Sequence, residues 1–341
     1  MNFTIYYQDF YLDICILQNK IKLETITRYM VPADEFVLAL INLGNNLYNK
    51  GLLQEAFTLY ENNEEYILLP SFKSKLKVEF LLSFGDILVT ATYMENLDIK
   101  RVDSCFNKCE KILLETKSTQ SARFLLLKGM CSYYSFSLKG TENALKDARN
   151  YVSQAMDLFG GDDATKYLAQ AWTYQGLIFE GEANVDQAEK SYLKAYQIAR
   201  KETLKIEMSF ASRYLGLLRM KQNRDEDALN YLKESLKLRE DTGFKLGIPF
   251  SMLSLGDIYI KLNDVHKALK CYKFGYEFGQ GIKNSLCEMI GALSVGQCYI
   301  RLDEFDKADT YLQTAIKFAE KLENSRFLEL AKKTLETKTV D

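Results

Sequence analysis

Apolar residues recur along the chain at intervals of three and four, as in Leu253, Gly256, Tyr259 and Ile260, then Ala268, Leu269 and Tyr272. That spacing draws one apolar stripe along an α-helix and does not fit the strict alternation of a half-buried strand. Short polar stretches such as KLND (261–264) and RLDE (301–304) separate the periodic segments and predict tight turns between helices.

The pattern itself repeats with a period of forty. Gly176, Gly216, Gly256 and Gly296 are each followed twelve residues later by Ala188, Ala228, Ala268 and Ala308, and seven further on by Ala195, Ser235, Gly275 and Ala315. Gly44 also has its alanine at twelve, Ala56. Gly129 precedes Ala148 and Ala155, but its first interval grows to nineteen, which predicts either about two inserted helical turns or a longer loop around SLKGTEN. Gly85 heads a degenerate unit in which Cys105 and Cys109 stand where small residues fall elsewhere. Seven helix pairs are expected. A glycine inside a helix costs roughly 1 kcal/mol relative to Ala. Its return at a fixed offset predicts that the paired helix approaches closely there, with the missing Cβ facing the small Ala column.

The arrangement resembles the tetratricopeptide repeat family, whose helix pair carries a large residue, Leu-Gly, Tyr, and then Ala, an aromatic and Ala. Trp172 stands four before Gly176; Leu43, Leu215 and Leu255 directly precede their glycines; Tyr259 and Tyr299 fill the Tyr position, and Tyr192 and Tyr272 the later aromatic one. The resemblance spans about residues 35–322. It implies an all-α fold, a right-handed superhelix of about seven helix pairs with capping helices. Residues 1–34 are expected to form an N-terminal capping helix or degenerate half-repeat, and 323–341 a C-terminal capping helix and tail, because terminal units must cover the open ends of a stack. Two departures matter. The familiar repeat is about 34 residues long, so these helices are longer, and the closing proline is absent, the chain having only Pro32, Pro70 and Pro249.

Composition narrows the function. With 44 basic and 46 acidic residues the net charge is −2, so bulk charge supports no nucleic-acid surface. No apolar run is long enough to span a membrane, and MNFTIYYQDF lacks the basic start of a signal peptide, which predicts a soluble cytoplasmic chain with no membrane partner. The seven scattered cysteines read as reduced core residues. The single histidine, His266, sits in a turn without a second His or Cys nearby, and Cys105 with Cys109 lacks the companions of a metal site. GGDD at 160–163 reads as a helix stop followed by an N-cap. No phosphate-binding loop and no nucleophile elbow is present. No catalytic residue, metal or cofactor is expected, and the chain is read as a binding protein and not an enzyme.

In tetratricopeptide proteins the first helix of each pair lines the concave face. Carried over by offset from each glycine, the ligand-touching positions hold Asn42, Asn45 and Asn49, then Asp86, Arg123, Thr173 with Leu177, Arg213, Asp257 and Gln297. Asn42, Asn45 and Asn49 share one helical stripe, and an amide side chain both donates to and accepts from a peptide backbone whatever the ligand's sequence. The same stripe also reads as a polar face leading into a turn. Lys221, Lys261 and Arg301, five residues past consecutive glycines, read either as cations favoured at helix C-termini or as a basic ladder for carboxylates of a bound chain.

In general texture (forty-residue units, many Tyr and Lys, groove Asn residues) the chain is similar to the intracellular peptide-pheromone receptors of Gram-positive bacteria. That resemblance implies a regulator that binds a short signalling peptide, or an extended protein segment, in its groove. Those receptors also carry an N-terminal effector part, for which the chain before residue 35 is too short, so direct nucleic-acid binding by this chain is not expected. The alternative is a constitutive adaptor joining protein partners. The sequence leaves a homodimer open.

Overall fold

The structure is a computed structural model that describes residues 33–116, 120–160 and 165–337. Among the described residues fifteen helices and no strand occur. They form seven consecutive pairs: α1 (Ala33–Asn49) with α2 (Leu53–Ile67), α3 (Ser74–Glu95) with α4 (Ile99–Thr116), α5 (Ser121–Lys139) with α6 (Glu142–Leu158), and α7 (Thr165–Gly181) with α8 (Val185–Lys201). The series continues with α9 (Lys205–Lys221) and α10 (Asp225–Thr242), α11 (Ile248–Lys261) and α12 (Val265–Gly281), and α13 (Ser285–Arg301) and α14 (Phe305–Lys321). A last helix, α15 (Ser325–Thr337), follows as a C-terminal element. The expected N-terminal capping helix lies outside the described residues.

The forty-residue period has a simple physical origin. Helices α7, α8, α9, α12, α13 and α14 are each 17 residues long. Each ends in one residue of left-handed backbone, and these recur every twenty residues at Ala183, Thr203, Asn223, Gly243, Asn263, Lys283, Asp303 and Glu323. The next amide closes each helix end by bonding back five residues, as Asn184 N does to Phe179 O and Asp264 N to Tyr259 O. Asn184, Asp264 and Asn284 then cap the following helix through their side chains. Helix, turn and cap thus form a twenty-residue module used twice per repeat.

The seam glycines pack as a close approach requires, with one correction. A Cβ at Gly256 would come within 2.5 Å of Tyr272 Cδ1, one at Gly176 within 2.5 Å of Tyr192 Cδ1, and one at Gly216 within 2.7 Å of Leu232 Cγ. The nearest group is therefore the large side chain sixteen residues on, not the alanine at twelve. The alanine contributes its carbonyl, as Ala228 O does 3.1 Å from where a Cβ on Gly216 would stand. A small residue lets the backbones approach, and the neighbouring ring then fills the notch that glycine leaves.

The long interval after Gly129 is helical. Helix α5 runs ten residues past its glycine to Lys139, whereas α7 runs five past Gly176 to Gly181, and only Gly140 and Thr141 separate α5 from α6. Helix α3 is extended in the same way, ten residues past Gly85 to Glu95, an extension hidden in the sequence by the degeneracy of that unit.

The extended tips close the superhelix on itself. The Glu95 carboxylate accepts from the Ser285 amide, from Ser285 Oγ at 2.8 Å and from Lys321 Nζ at 2.7 Å. Asn96 Nδ2 donates to Lys321 O at 3.1 Å, and Lys139 faces Glu323 at 3.7 Å. On the other edge Lys245 N donates to Asn49 O at 2.8 Å, and Ile282 packs against Gly51. The first three pairs therefore meet the C-terminal pairs at both edges. Their shared apolar core, including Phe36, Phe80, Phe84 and Leu88, reaches across to Phe244 and Leu246.

Candidate functional site

The concave face is made by the first helices of successive pairs, because the Gly–large-residue seam commits each second helix to the outer layer. Two of the cavities among the described residues adjoin this face. One, of about 210 Å³, is walled by five first helices: α1 gives Asn45, Tyr48 and Asn49; α3 gives Asp86 and Thr90; α5 gives Met130 and Tyr134; α7 gives Gln170, Thr173 and Leu177; α9 gives Glu207, Phe210 and Tyr214. The second, of about 370 Å³, lies between the extended tips of α3 and α5 and is edged by Glu323. Tyr134 lines both.

Tyr134 is held between α3 and α7. Its ring stacks on Tyr93 with centroids 4.1 Å apart, and its hydroxyl lies 2.6 Å from that of Tyr174. Burial pushes the phenols of Tyr93 and Tyr48 up to about 12 and those of Tyr134 and Tyr174 well above their ordinary value, so all four are neutral donors and acceptors. Tyr48 pairs with Thr90 Oγ1 at 3.1 Å.

Charge is sparse here and mostly compensated. Arg123 donates to Glu79, to Ser83 Oγ at 3.2 Å and to Asp86 at 3.1 Å, with its guanidinium over the Tyr167 ring at 4.8 Å. Burial alone would lower its pKa; the carboxylates of Asp86 and Glu79 raise it above the ordinary value. Glu207 is buried, with Gln170 Nε2 at 3.2 Å and Lys166 Nζ at 4.0 Å. Its carboxyl is raised chiefly by desolvation, against the pull of Lys166.

The residues singled out in the sequence therefore separate into groups. Asn45, Asn49, Asp86, Thr173 and Leu177 line the smaller cavity, and Arg123 orients Asp86 from behind. Asn42 is exposed outside the cavity wall. Arg213 sits on the same inner helix as Tyr214, its Nε bonded to Phe250 O and Ser254 Oγ. Asp257 accepts from Tyr272 OH at 2.7 Å, which ties it to the seam; its carboxyl is raised by burial. Lys221 pairs with Glu180 at 2.7 Å, and Lys261 pairs with Asp225 at 2.7 Å and also donates to Met220 O. Gln297 is half-buried and Arg301 exposed. Sequence reasoning missed Tyr134, Gln170, Glu207 and Phe210. Glu207 and Phe210 lie two turns and one turn before Tyr214, a periodicity that marks the face but not which of its residues close on a cavity.

The remaining candidates have structural roles. His266 is exposed in the first turn of α12. Cys105 and Cys109 are buried in α4; burial pushes the Cys109 thiol up to about 12 and that of Cys105 higher still. Among the described residues no His/Cys/Asp/Glu group is arranged to hold a metal, and no helix is long and apolar enough to cross a membrane. Helix α6 stops at Leu158; residues 161–164, which include most of GGDD, lie outside the described residues.

Residues 251–273, within α11–α12, and 293–322, from α13 to the end of α14, match the family model for the tetratricopeptide repeat. The other pairs repeat their geometry, and the fold is a tetratricopeptide-type solenoid. Among solved structures the chain is similar to a Rap protein complexed with competence and sporulation factor: TM-score 0.63, 15% identity, 90% of this chain and 88% of that one. It is also similar to NprR in complex with its cognate peptide NprX, at TM-score 0.58 and 16% identity, covering 91% of this chain and 86% of that one. The apo form of the quorum sensor NprR from B. thuringiensis matches at TM-score 0.56 and 16% identity, covering 91% and 84%. At these identities the likeness is one of fold. No curated protein sequence matches significantly.

Proposed function

We propose that the chain is a non-catalytic regulator that binds a short peptide on its concave face. The observation that carries this reading is the smaller cavity: Asn45 and Asn49 of α1 and Gln170 of α7 present backbone-pairing amides to it, and Tyr48, Leu177, Phe210 and Phe244 supply apolar surface. Amides interleaved with aromatic, hydroxyl and charged side chains suit an extended peptide, whose main chain the amides hold and whose side chains the aromatic walls cover. The fold likeness to NprR, solved with its cognate peptide, favours the same reading.

At about 210 Å³ the cavity is smaller than the 300–1,000 Å³ usual for ligand pockets, and Tyr134 also lines the neighbouring cavity of about 370 Å³. A peptide of several residues therefore occupies both by displacing Tyr134, and the superhelix adjusts around it. Binding is tied to shape, because the cavity walls belong to α1, α3, α5, α7 and α9 while the Glu95 contacts join the same curve to α13 and α14. This separates a switch from a constitutive adaptor, whose partner leaves the pitch of the solenoid unchanged.

The test is calorimetric titration with peptides selected from a hexapeptide mixture. Asn45→Ala and Asn49→Ala are expected to weaken binding by about 1–3 kcal/mol each, by leaving a buried backbone group unpaired. Lys233→Ala, on the exposed side of α10, is expected to leave it unchanged. Equal affinity in all three variants, with the helical signal intact, contradicts the assignment of the groove.

A further inference from the structure

The outer helices carry a charge pattern that their packing does not use. In the middle turns of α8, α10 and α12, residues 190–197, 230–237 and 270–277, stand six lysines: Lys190 and Lys194, Lys233 and Lys237, Lys270 and Lys273. Only two acids, Glu234 and Glu277, share these turns, and Glu234 is taken, accepting from Tyr196 OH at 3.0 Å and Ser212 Oγ at 2.8 Å. Lys273 is half-buried over the Tyr299 ring at 5.2 Å, and the other five lysines are exposed. Among the described residues none of the six has a carboxylate within 4.0 Å. Repetition does not require this. At the same offsets α6 presents Asn150, Ser153 and Gln154, and α14 presents Thr310, Gln313 and Thr314 with one lysine, Lys317. The basic band is confined to three helices.

An aromatic ring stands out of this band. Phe274 of α12 is 44% exposed and stacks on Phe278 with centroids 5.7 Å apart. Its counterparts in α8, α10 and α14 are Lys194, Glu234 and Thr314, so the fold asks for no aromatic there. This position faces the preceding outer helix, as Glu234 of α10 does in meeting Tyr196 of α8. By the same forty-residue offset Phe274 faces Leu236 of α10. That places it with Lys233 and Lys237 on one side and Lys270, one turn earlier on its own helix, on the other. An apolar centre ringed by charge is the anatomy of a protein–protein contact.

We infer that the convex face of α8, α10 and α12 docks a short acidic protein segment, one large apolar side chain of which sits on Phe274. This face lies on the outer layer, away from the groove, so the inference stands apart from the peptide-binding reading. Three helices packed about 8–10 Å apart span roughly 20–30 Å, the length of about six to nine extended residues. Lysine, a mobile point charge, suits carboxylates spread along such a segment. A long polyanion fits worse. The first turns of α8 and α10 carry Asp186, Asp225, Glu226 and Asp227, an acidic fringe beside the band, and no arginine stands in the band to fork a phosphate.

The probe is a mixture of nonapeptides with Asp or Glu at every position except a randomised central one, selected on the full chain at low ionic strength and read by mass spectrometry. Retention is expected, with Phe, Trp, Leu or Met enriched at the centre. Lys233→Glu combined with Lys237→Glu should weaken the best binder about 10-fold or more. Phe274→Ser should weaken it about 5-fold and abolish the enrichment. These substitutions fall on exposed side chains, and Asn45→Ala, in the groove, should leave the binding intact. Retention without apolar enrichment, or undiminished by Phe274→Ser, overturns the inference. So does loss of the probe in Asn45→Ala with both convex variants unaffected, which would put it in the groove. Duplex DNA that binds more tightly than the best peptide and ignores Phe274→Ser assigns the band to nucleic acid and overturns it, as does the absence of any retained peptide.

Discussion

Gly256→Ala isolates the principle on which the solenoid is built. The added Cβ would stand within 2.5 Å of Tyr272 Cδ1, where an ordinary contact is above 3.4 Å, so the ring must retreat by about 1 Å. It has little room, being 4% exposed, and its hydroxyl is fixed to Asp257 Oδ1 at 2.7 Å. Overpacking costs about 1–3 kcal/mol, and loss of the bond to a buried carboxylate about 1.5–3 kcal/mol. Replacing a helical glycine by alanine returns about 1 kcal/mol. The net expectation is a loss of roughly 1.5–5 kcal/mol. Gly281→Ala is the control: nothing lies within 4 Å of its Cβ at the end of α12, and it should gain about 0.5–1 kcal/mol. Urea unfolding with an unchanged m-value reads both, and hydrogen exchange in α11 and α12 reports whether the loss is local. If Gly256→Ala proves as stable as the unsubstituted protein, close approach does not explain the repeated glycine.

Three further outcomes are expected. Thr203 is a β-branched residue in left-handed backbone at φ 55°, so Thr203→Gly should stabilise by about 0.5–1 kcal/mol, seen as a higher Tm. Burial raises the Glu207 carboxyl above its ordinary 4.5, so the folded protein holds that proton more tightly than the unfolded chain does. Its favourable contribution is full below about 4.5 and is lost as pH rises through the raised value. Glu207→Gln should therefore raise Tm at pH 8, with the advantage gone at pH 4. Glu95→Ala removes the contacts to Ser285 and Lys321 that close the superhelix; allowing for the exposure of Lys321, the closed form should lose about 2 kcal/mol and the radius of gyration in small-angle scattering should rise.

The seven helix pairs were legible because period and amphipathic spacing are local properties of the chain. The same offsets placed Asn45, Asn49, Asp86 and Thr173 on the inner wall. What the offsets could not carry was closure. That Glu95 meets Ser285 and Lys321 depends on the accumulated rotation of five repeats and on an extension of α3 that its degenerate unit conceals. Closure in turn decides which inner residues face a cavity: it brings Glu207, Phe210 and Phe244 to the Asn side chains of α1, while Asn42 remains outside. Lys221 and Lys261 looked like a ladder because their acid partners, Glu180 and Asp225, lie about forty residues earlier, beyond any local window.

The central claim is that the concave face holds a peptide. It is tested most directly by native mass spectrometry of the protein purified gently from its own host. The account predicts a co-purifying peptide of a few residues that is lost when Asn45 and Asn49 are both changed to Ala. A peptide retained equally by that double variant, or a folded protein partner bound with no peptide present, would contradict it.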